Sequence, residues 1–340
     1  MLQGKLPAAL LSELLKAIPI DDPDVIVGPR LGEDAAVLDI GNRYLIAKSD
    51  PITFTAHRIG WYALQINAND VATMGARPRW FLGTLLLPPT CSEETVKEIF
   101  ADIKEACRVL GVTLVGGHTE VTDGVVRPIL AGTLLGEVAK DCLVMNADAR
   151  PGDVILLTAG IAIEGTAILA QDASEELAAQ GVAPATVARA QAYLDDPGIS
   201  VVCAAEALCR AVHPRAMHDP TEGGLATALV ELAAGAASGL AIDLATVPVL
   251  PETAEICMAL ALDPLGLLAS GALLAVVAPD DVVKSLTALQ DCGIEAAAIG
   301  LMTEQADGVR MQVEGAWHPV PTFPRDELAR FFAEAGGNET

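Results

Sequence analysis

Two runs of β-favouring residues, Ala35–Ile40 and Arg43–Ala47, flank the pair Gly41-Asn42. A Gly-Asn pair suits a two-residue turn, so this segment predicts a β-hairpin. The pattern then changes to a helical one from about Arg58 to Met74, with Gly75 as a stop. Trp80 to Leu87 is an apolar run closed by Pro88-Pro89 and predicts a strand. Ser92 has the character of an N-cap, with Glu93 and Glu94 in the electropositive first turn behind it. Val96, Ile99, Phe100, Ile103, Cys107 and Leu110 recur on one helical stripe, which Gly111 ends. Val112–Val115 and Val125–Val138 return to a strand pattern.

The turn-rich stretch Ala149-Arg150-Pro151-Gly152-Asp153 is the best break near the middle, and it divides the chain into domains 1–150 and 151–340. A strand is predicted at Val154–Thr158, then a long Ala-rich helical region to about Val212. A helix from Glu222, a strand near Leu240–Leu244, a helix after Pro251 and a strand at Ala272–Ala278 follow. Arg325–Ala335 reads as a closing helix, with Leu328, Phe331 and Phe332 at i, i+3 and i+4 and so expected in the core. The fold class is α/β, with two lobes of similar size.

Composition limits what such a fold can do. The 340 residues carry 45 Asp+Glu against 21 Lys+Arg, a net charge of −24, while 52% are hydrophobic. So negative a surface repels phosphate backbones and anionic lipid, which argues against nucleic-acid and membrane partners. An anionic substrate needs metal ions, helix N-termini or a local cationic pocket. No apolar run reaches the ~20 residues of a bilayer span, and the first residues lack a signal-peptide pattern. The seven cysteines form no CxxC pair and read mostly as small core residues, so a reduced, cytoplasmic setting is expected.

Three carboxylates stand where strands or helices give way to loops: Asp34 in Gly32-Glu33-Asp34-Ala35, Asp50 in Lys48-Ser49-Asp50-Pro51, and Asp70 in Asn69-Asp70-Val71-Ala72. Taken singly, Asp34 and Asp50 read as turn residues and Asp70 as a solvated helix position. Brought together they would repel unless a hard cation joined them, and Mg²⁺ shared with nucleotide phosphates is the usual solution. Val115-Gly116-Gly117-His118-Thr119 is expected to end a strand, its glycines letting N–H groups approach a phosphate; a plain turn is the alternative. Met217-His218-Asp219-Pro220-Thr221-Glu222-Gly223-Gly224-Leu225 opens a helix, where N–H groups and the Thr221 hydroxyl can hold an anion or form an ordinary cap. His57, seven residues after Asp50, can bind substrate or face solvent. His118 is the better placed imidazole, and His213, His218 and His318 read as structural.

Together these segments resemble the AIR synthase/PurM-like superfamily of ATP-using enzymes over nearly the whole chain. Gly32-Glu33-Asp34-Ala35-Ala36-Val37 resembles its GDDAAV-type motif, and Asn69-Asp70-Val71-Ala72-Thr73-Met74-Gly75-Ala76-Arg77-Pro78 its ND-[IV]-A-x-MGA-x-P segment. Asp219-Pro220-Thr221-Glu222-Gly223-Gly224-Leu225-Ala226-Thr227-Ala228, Leu262-Asp263-Pro264-Leu265 and Arg325-Asp326-Glu327-Leu328 are most similar to the HypE-type hydrogenase maturation factors. The resemblance implies a homodimer whose N-terminal sheets join in a β-barrel, with ATP in a cleft between the lobes. It assigns Mg²⁺ to Asp34, Asp50 and Asp70. Ser49, Gly117, His118, Arg150 and Asp219 fall where relatives contact nucleotide or metal, and Asn69, Gly116, Thr119, Thr221, Gly223 and Gly224 belong to the same nucleotide-binding segments. His57 and His118 become the candidate catalytic groups. The γ-phosphate would pass to a small or protein-borne acceptor, or drive its dehydration.

Two departures qualify that expectation. HypE proteins end in a Pro-Arg-x-Cys tail that carries the substrate group, whereas this sequence ends Ala335-Gly336-Gly337-Asn338-Glu339-Thr340 and its last thiol is Cys292. Many relatives also have an acidic residue after the Gly-Gly where this chain has His118, as in selenophosphate synthetase-like sequences. Thiamine-monophosphate kinase is the alternative activity, supported by the Asp50-to-His57 spacing. Its GEDYEL-type segment is replaced here by Leu268-Ala269-Ser270-Gly271-Ala272-Leu273. Selenophosphate synthetase is disfavoured for want of a Cys/Sec and Lys segment before Asp34. A non-catalytic nucleotide-binding partner protein is the remaining alternative.

Overall fold

The computed structural model describes Leu6 and residues 8–29, 33–53 and 55–336. It comprises two compact units. One holds the described residues of 20–29 and 34–143; the other holds 144–336, together with those of 6–19 and Glu33. The helix α1 (Ala8–Lys16) groups with the larger unit.

In the N-terminal unit, β1 (Val25–Val27), β2 (Ala36–Asp39) and β3 (Arg43–Ile52) run antiparallel, and Gly41 makes the predicted hairpin turn at φ +99°. The helix α2 (Ile59–Thr73) follows, then β4 (Arg77–Leu87), α3 (Glu93–Leu110), β5 (Thr113–Val121) and β6 (Ile129–Ala139). Both predicted caps of α3 are present. The Ser92 side chain accepts from the Thr95 N–H at 3.1 Å, and Gly111 closes the helix at φ +65°. The sheet order is β1-β2-β3-β6-β4-β5, antiparallel except for β4–β5, which α3 connects in parallel.

The inner face of β6 decides what stands beneath α2. Burial alternates along β6, and its inward positions include Leu130, Gly132, Leu134 and Gly136. A Cβ on Gly132 would lie 2.6 Å from Asn67 Nδ2, and one on Gly136 would lie 2.4 Å from Val71. The two glycines therefore let α2 sit directly on the sheet. This close seating makes nearly all of α2 buried, polar residues included.

The C-terminal unit is a second sheet covered by helices. Its elements are β7 (Val154–Thr158), α4 (Ile163–Asp172), α5 (Ser174–Ala179), α6 (Pro184–Gln191), α7 (Val202–Ala211), β8 (Ala216–His218), α8 (Gly224–Gly235), β9 (Gly239–Asp243), α9 (Pro251–Ala259), β10 (Leu274–Val277), α10 (Val282–Asp291), β11 (Ala296–Thr303), β12 (Val309–Val313), β13 (Ala316–Pro319) and α11 (Glu327–Gly336). Strands run in the order β13-β12-β9-β11-β7-β10-β8, antiparallel except β12–β9. The Ala-rich region predicted as one helical stretch is broken into α4, α5, α6 and α7. Gly181 at φ +84° and Pro184 at the first turn of α6 punctuate it, as does Pro197 ahead of α7. Ile155, Leu157, Leu225, Leu229, Leu274 and Val276 lie at the centre of the core.

All seven cysteines are free thiols, but only Cys257 is buried; Cys142, Cys203 and Cys292 are exposed, which corrects their reading as core residues. No described helix is long and apolar enough to cross a membrane.

Candidate functional site

In β3, Ile46, Lys48, Asp50 and Ile52 share one face, the period of two carrying every second side chain toward α2. The ends of this row, Ile46 and Ile52, are buried apolar anchors. Its middle is charged. The Lys48 ammonium lies 3.4 Å from Asp50 Oδ2 and 3.3 Å from Asp70 Oδ1, so one cation bridges a strand carboxylate and a helix carboxylate. Asp70 is buried, and its main-chain carbonyl accepts the Thr73 hydroxyl at 2.8 Å.

Asn67 holds Asp50 in place. The Asp50 N–H donates to Asn67 Oδ1 at 2.9 Å, while Asn67 Nδ2 donates back to the Asp50 carbonyl at 3.2 Å and to the Ala63 carbonyl at 2.8 Å. The side chain thus pairs with Asp50 as a neighbouring strand would. It reaches that position only because Gly132, opposite Asp50 in the register, has no side chain. Beside them the Ser49 hydroxyl donates to the Gly132 carbonyl at 2.9 Å and accepts from the Thr133 hydroxyl at 3.0 Å.

The structure therefore brings Asp50 and Asp70 to one cation, with buried Asn69 next to Asp70 in α2, whereas Ser49 follows Lys48 on the opposite face of β3. Asp34 lies half-buried just ahead of β2; Gly32 of the same motif is outside the described residues. A hard divalent ion suits Asp50 and Asp70, whose carboxylates already converge on a positive charge.

His57 is exposed in the turn before α2, its N–H donating to Thr55 Oγ1 at 3.1 Å. Arg58 follows at φ +50° with its guanidinium 4.6 Å from the Trp61 ring centroid. Burial holds Asp102 above the usual carboxylate range, partly offset by the charges of Arg58 and His57.

Gly116 and Gly117 depart from expectation. They do not end a strand but lie within β5, at a sheet edge, with Thr119 further along it. The reason is tertiary: a Cβ on Gly117, at φ +148°, would stand 2.0 Å from the Gly83 carbonyl oxygen of the parallel neighbour. His118 is exposed and its Nε2 is 3.0 Å from Glu120 Oε2, so the acidic charge missing at position 118 is present two residues on.

In the C-terminal unit, Asp219 is buried at 1% exposure directly after β8, and His218 Nε2 is 3.2 Å from Glu231 Oε2. Gly223 and Gly224 begin α8, Gly223 as its N-cap, with Thr221 half-buried ahead of them. The Gly223 N–H is not available to an anion as expected, because it donates to Asp326 Oδ2 at 2.6 Å. Asp326 also accepts from the Leu328 N–H at 2.8 Å, and burial pushes its carboxyl up to about 6. Arg150 is exposed, and its N–H donates to Asp153 Oδ2 at 2.9 Å.

Glu164, in the first turn of α4, is a further buried acid. Burial is the main cause raising it to about 7, nearby Asp326 and Asp219 add to the shift, and Ser270 opposes it. Sequence reasoning missed Lys48, Asn67, Glu164 and Asp326. Two of them had a legible signal: Lys48 lies at i−2 from Asp50 on a strand, and Asn67 at i−3 from Asp70 on a helix.

Comparison with known proteins follows the same segments. Residues 32–138 match the model of the AIR synthase related protein N-terminal domain, and residues 150–312 match that of the C-terminal domain. The carbamoyl dehydratase HypE of Cupriavidus necator is 32% identical over 88% of this chain and 84% of its own. A selenide, water dikinase of Geobacter sp. is 36% identical over 72% of this chain and 69% of its own. The crystal structure of a hydrogenase maturation protein HypE in complex with ATP superposes with a TM-score of 0.72 and 26% identity, covering 91% of this chain and 92% of that one.

Proposed function

Because the chain belongs to the AIR synthase related family, we propose that it is a HypE-like, ATP-dependent enzyme that phosphorylates or dehydrates a small or protein-borne acceptor. The observation that carries this reading is the convergence of Asp50 and Asp70 on a single cation. With nucleotide bound, Asp34, Asp50 and Asp70 would hold Mg²⁺ against its phosphates. The metal would neutralise the charge that develops as the γ-phosphoryl group transfers.

The chain's own residues position rather than react covalently. Asn67 fixes the Asp50 backbone from the helix side, while the Ser49 and Thr133 hydroxyls bond to each other on the opposite face of the sheet. Asn69, Gly116, Gly117, His118, Thr119, Arg150, Asp219, Thr221 and Gly224 remain the candidate nucleotide contacts, while the Gly223 N–H is taken by Asp326. His57 and His118 are the candidate acceptor-side groups. His57 is exposed at the approach to α2, and the cationic Arg58 beside it suits an anionic acceptor.

A homodimer belongs to the same reading. Every residue of the edge strand β5 is exposed, including Leu114, Val115 and Val121. An apolar strand edge left open to water is a template for pairing with another chain. The free thiols and the acidic surface suit a cytoplasmic setting.

Product analysis of ATP turnover tests the reading. ADP with one phosphoryl group on the acceptor, or released as phosphate, agrees with single transfer or dehydration, whereas AMP with one phosphoryl group on the acceptor and one phosphate released would move the assignment to a dikinase, the second reading that the Geobacter relative favours. No turnover with any acceptor, alongside intact nucleotide binding, would make the protein a non-catalytic partner.

A further inference from the structure

Lys48 is not among the residues that carry the family resemblance, yet its ammonium stands between the two carboxylates of the site. Its ammonium lies 3.4 Å from Asp50 and 3.3 Å from Asp70, and its side chain is only 21% exposed. Asp70 on the far side is 5% exposed and Asp50 on the near side 42%. The pair therefore opens to solvent past Asp50.

A metal ion ligated by both carboxylates would stand where the ammonium now stands. Positive charges repel strongly at such separations in a partly desolvated site, so both cannot remain. A lysine can resolve the conflict without backbone movement. It is a compact charge on a flexible four-carbon stem, and rotation about that stem on the Asp50 side carries the ammonium outward. Leaving for water alone, it would exchange two carboxylates for solvation. Leaving toward a bound polyphosphate, it would exchange them for another anion.

We propose that Lys48 is the resident counter-cation of the Asp50–Asp70 pair, giving way to the divalent metal and transferring its charge to the phosphates of the nucleotide that arrives with it. This rests on the reading of Asp34, Asp50 and Asp70 as the metal–nucleotide site. The consequence is a coupling. Metal alone must displace the ammonium without return and binds weakly, whereas metal and nucleotide together each favour the other. Lys48 thus keeps the site from filling with metal before the nucleotide is present.

The test is calorimetry on the full chain with Mn²⁺ alone, and with AMPPCP in the presence of Mn²⁺. Lys48→Met keeps the stem and removes the charge. Mn²⁺ alone should bind this variant about tenfold or more tightly than the parent protein, and AMPPCP with Mn²⁺ should bind it about tenfold more weakly. Lys48→Arg should restore weak binding of metal alone. Equal or weaker binding of Mn²⁺ to Lys48→Met would overturn the proposal while leaving the metal site standing. No Mn²⁺ binding to either protein, with or without AMPPCP, would overturn the site and the proposal together. If Lys48→Met folds only with metal present, Mn²⁺ must raise its thermal midpoint by more than that of the parent, and an equal rise contradicts the proposal.

Discussion

Gly132 lacks a side chain because Asn67 occupies the space where one would go. A Cβ there would meet Asn67 Nδ2 at 2.6 Å and Phe81 at 2.8 Å. Gly132→Ala should therefore push Asn67 off the Asp50 backbone and cost about 1–3 kcal/mol, the usual range for overpacking. A urea midpoint would report the stability loss, and nucleotide affinity should fall with it; unchanged affinity would mean that Asn67 does not position Asp50. Glu164 gives a different residue-scale prediction. Its folded value of about 7 lies above the ordinary 4.5, so the folded state holds its proton more tightly than the unfolded chain. Its contribution is then fully favourable below pH 4.5 and is lost as pH rises through about 7. The total is on the order of 3 kcal/mol. Asp326, raised to about 6, acts in the same direction. Urea unfolding at pH 5 and pH 8 should show a smaller stability difference for Glu164→Gln than for the parent protein. An unchanged difference would place that carboxyl in contact with water.

At the scale of elements, α11 tests how burial was read. The sequence pattern favoured Phe331 and Phe332 as core residues, but both are half-buried, and Leu328 and Ala329 are the covered positions. The charged residues at the start of the helix explain this. Glu327 Oε2 accepts from the Asp263 N–H at 3.0 Å, and Arg330 Nη2 donates to the Ala261 carbonyl at 2.9 Å, so this face of the helix is held against the unit by polar bonds. Leu328→Ala should cost about 2–5 kcal/mol in chemical denaturation, and Phe331→Ala clearly less. The reverse order would show that the rings carry the contact. The same distinction runs through the fold. The hairpin at Gly41 and both caps of α3 were legible because their signals are local. The strand position of Gly116-Gly117 was not, because it follows from the approach of β4 to β5 around Gly83. Asp50 and Asp70 were legible as acids in motif segments; the spacing of Lys48 and Asn67 puts them on the same faces, but their partners follow from the glycines of β6 that let α2 close on the sheet.

At the scale of the whole molecule, an exposed apolar strand edge and a large negative charge act in opposite senses. The edge of β5 favours self-association, while 45 acidic against 21 basic residues repel a second copy of the chain and any polyanion. Burial of the edge in a dimer should prevail. Light scattering at micromolar concentration should give about twice the 35.1 kDa chain mass, and Val115→Glu on the edge should return it to the monomer value. A monomer without that substitution would contradict the proposed dimer. Charge also dictates how nucleotide must arrive. At the proposed site bare ATP would add its phosphates to Asp34, Asp50 and Asp70 in a protein already at −24, so it should bind only with its charge neutralised. The most direct measurement is calorimetric titration of the protein with ATP in excess Mg²⁺ and again in EDTA, repeated on Asp70→Asn. Binding in magnesium that disappears in EDTA and in the variant is the predicted result; equal affinity with and without the metal would contradict it.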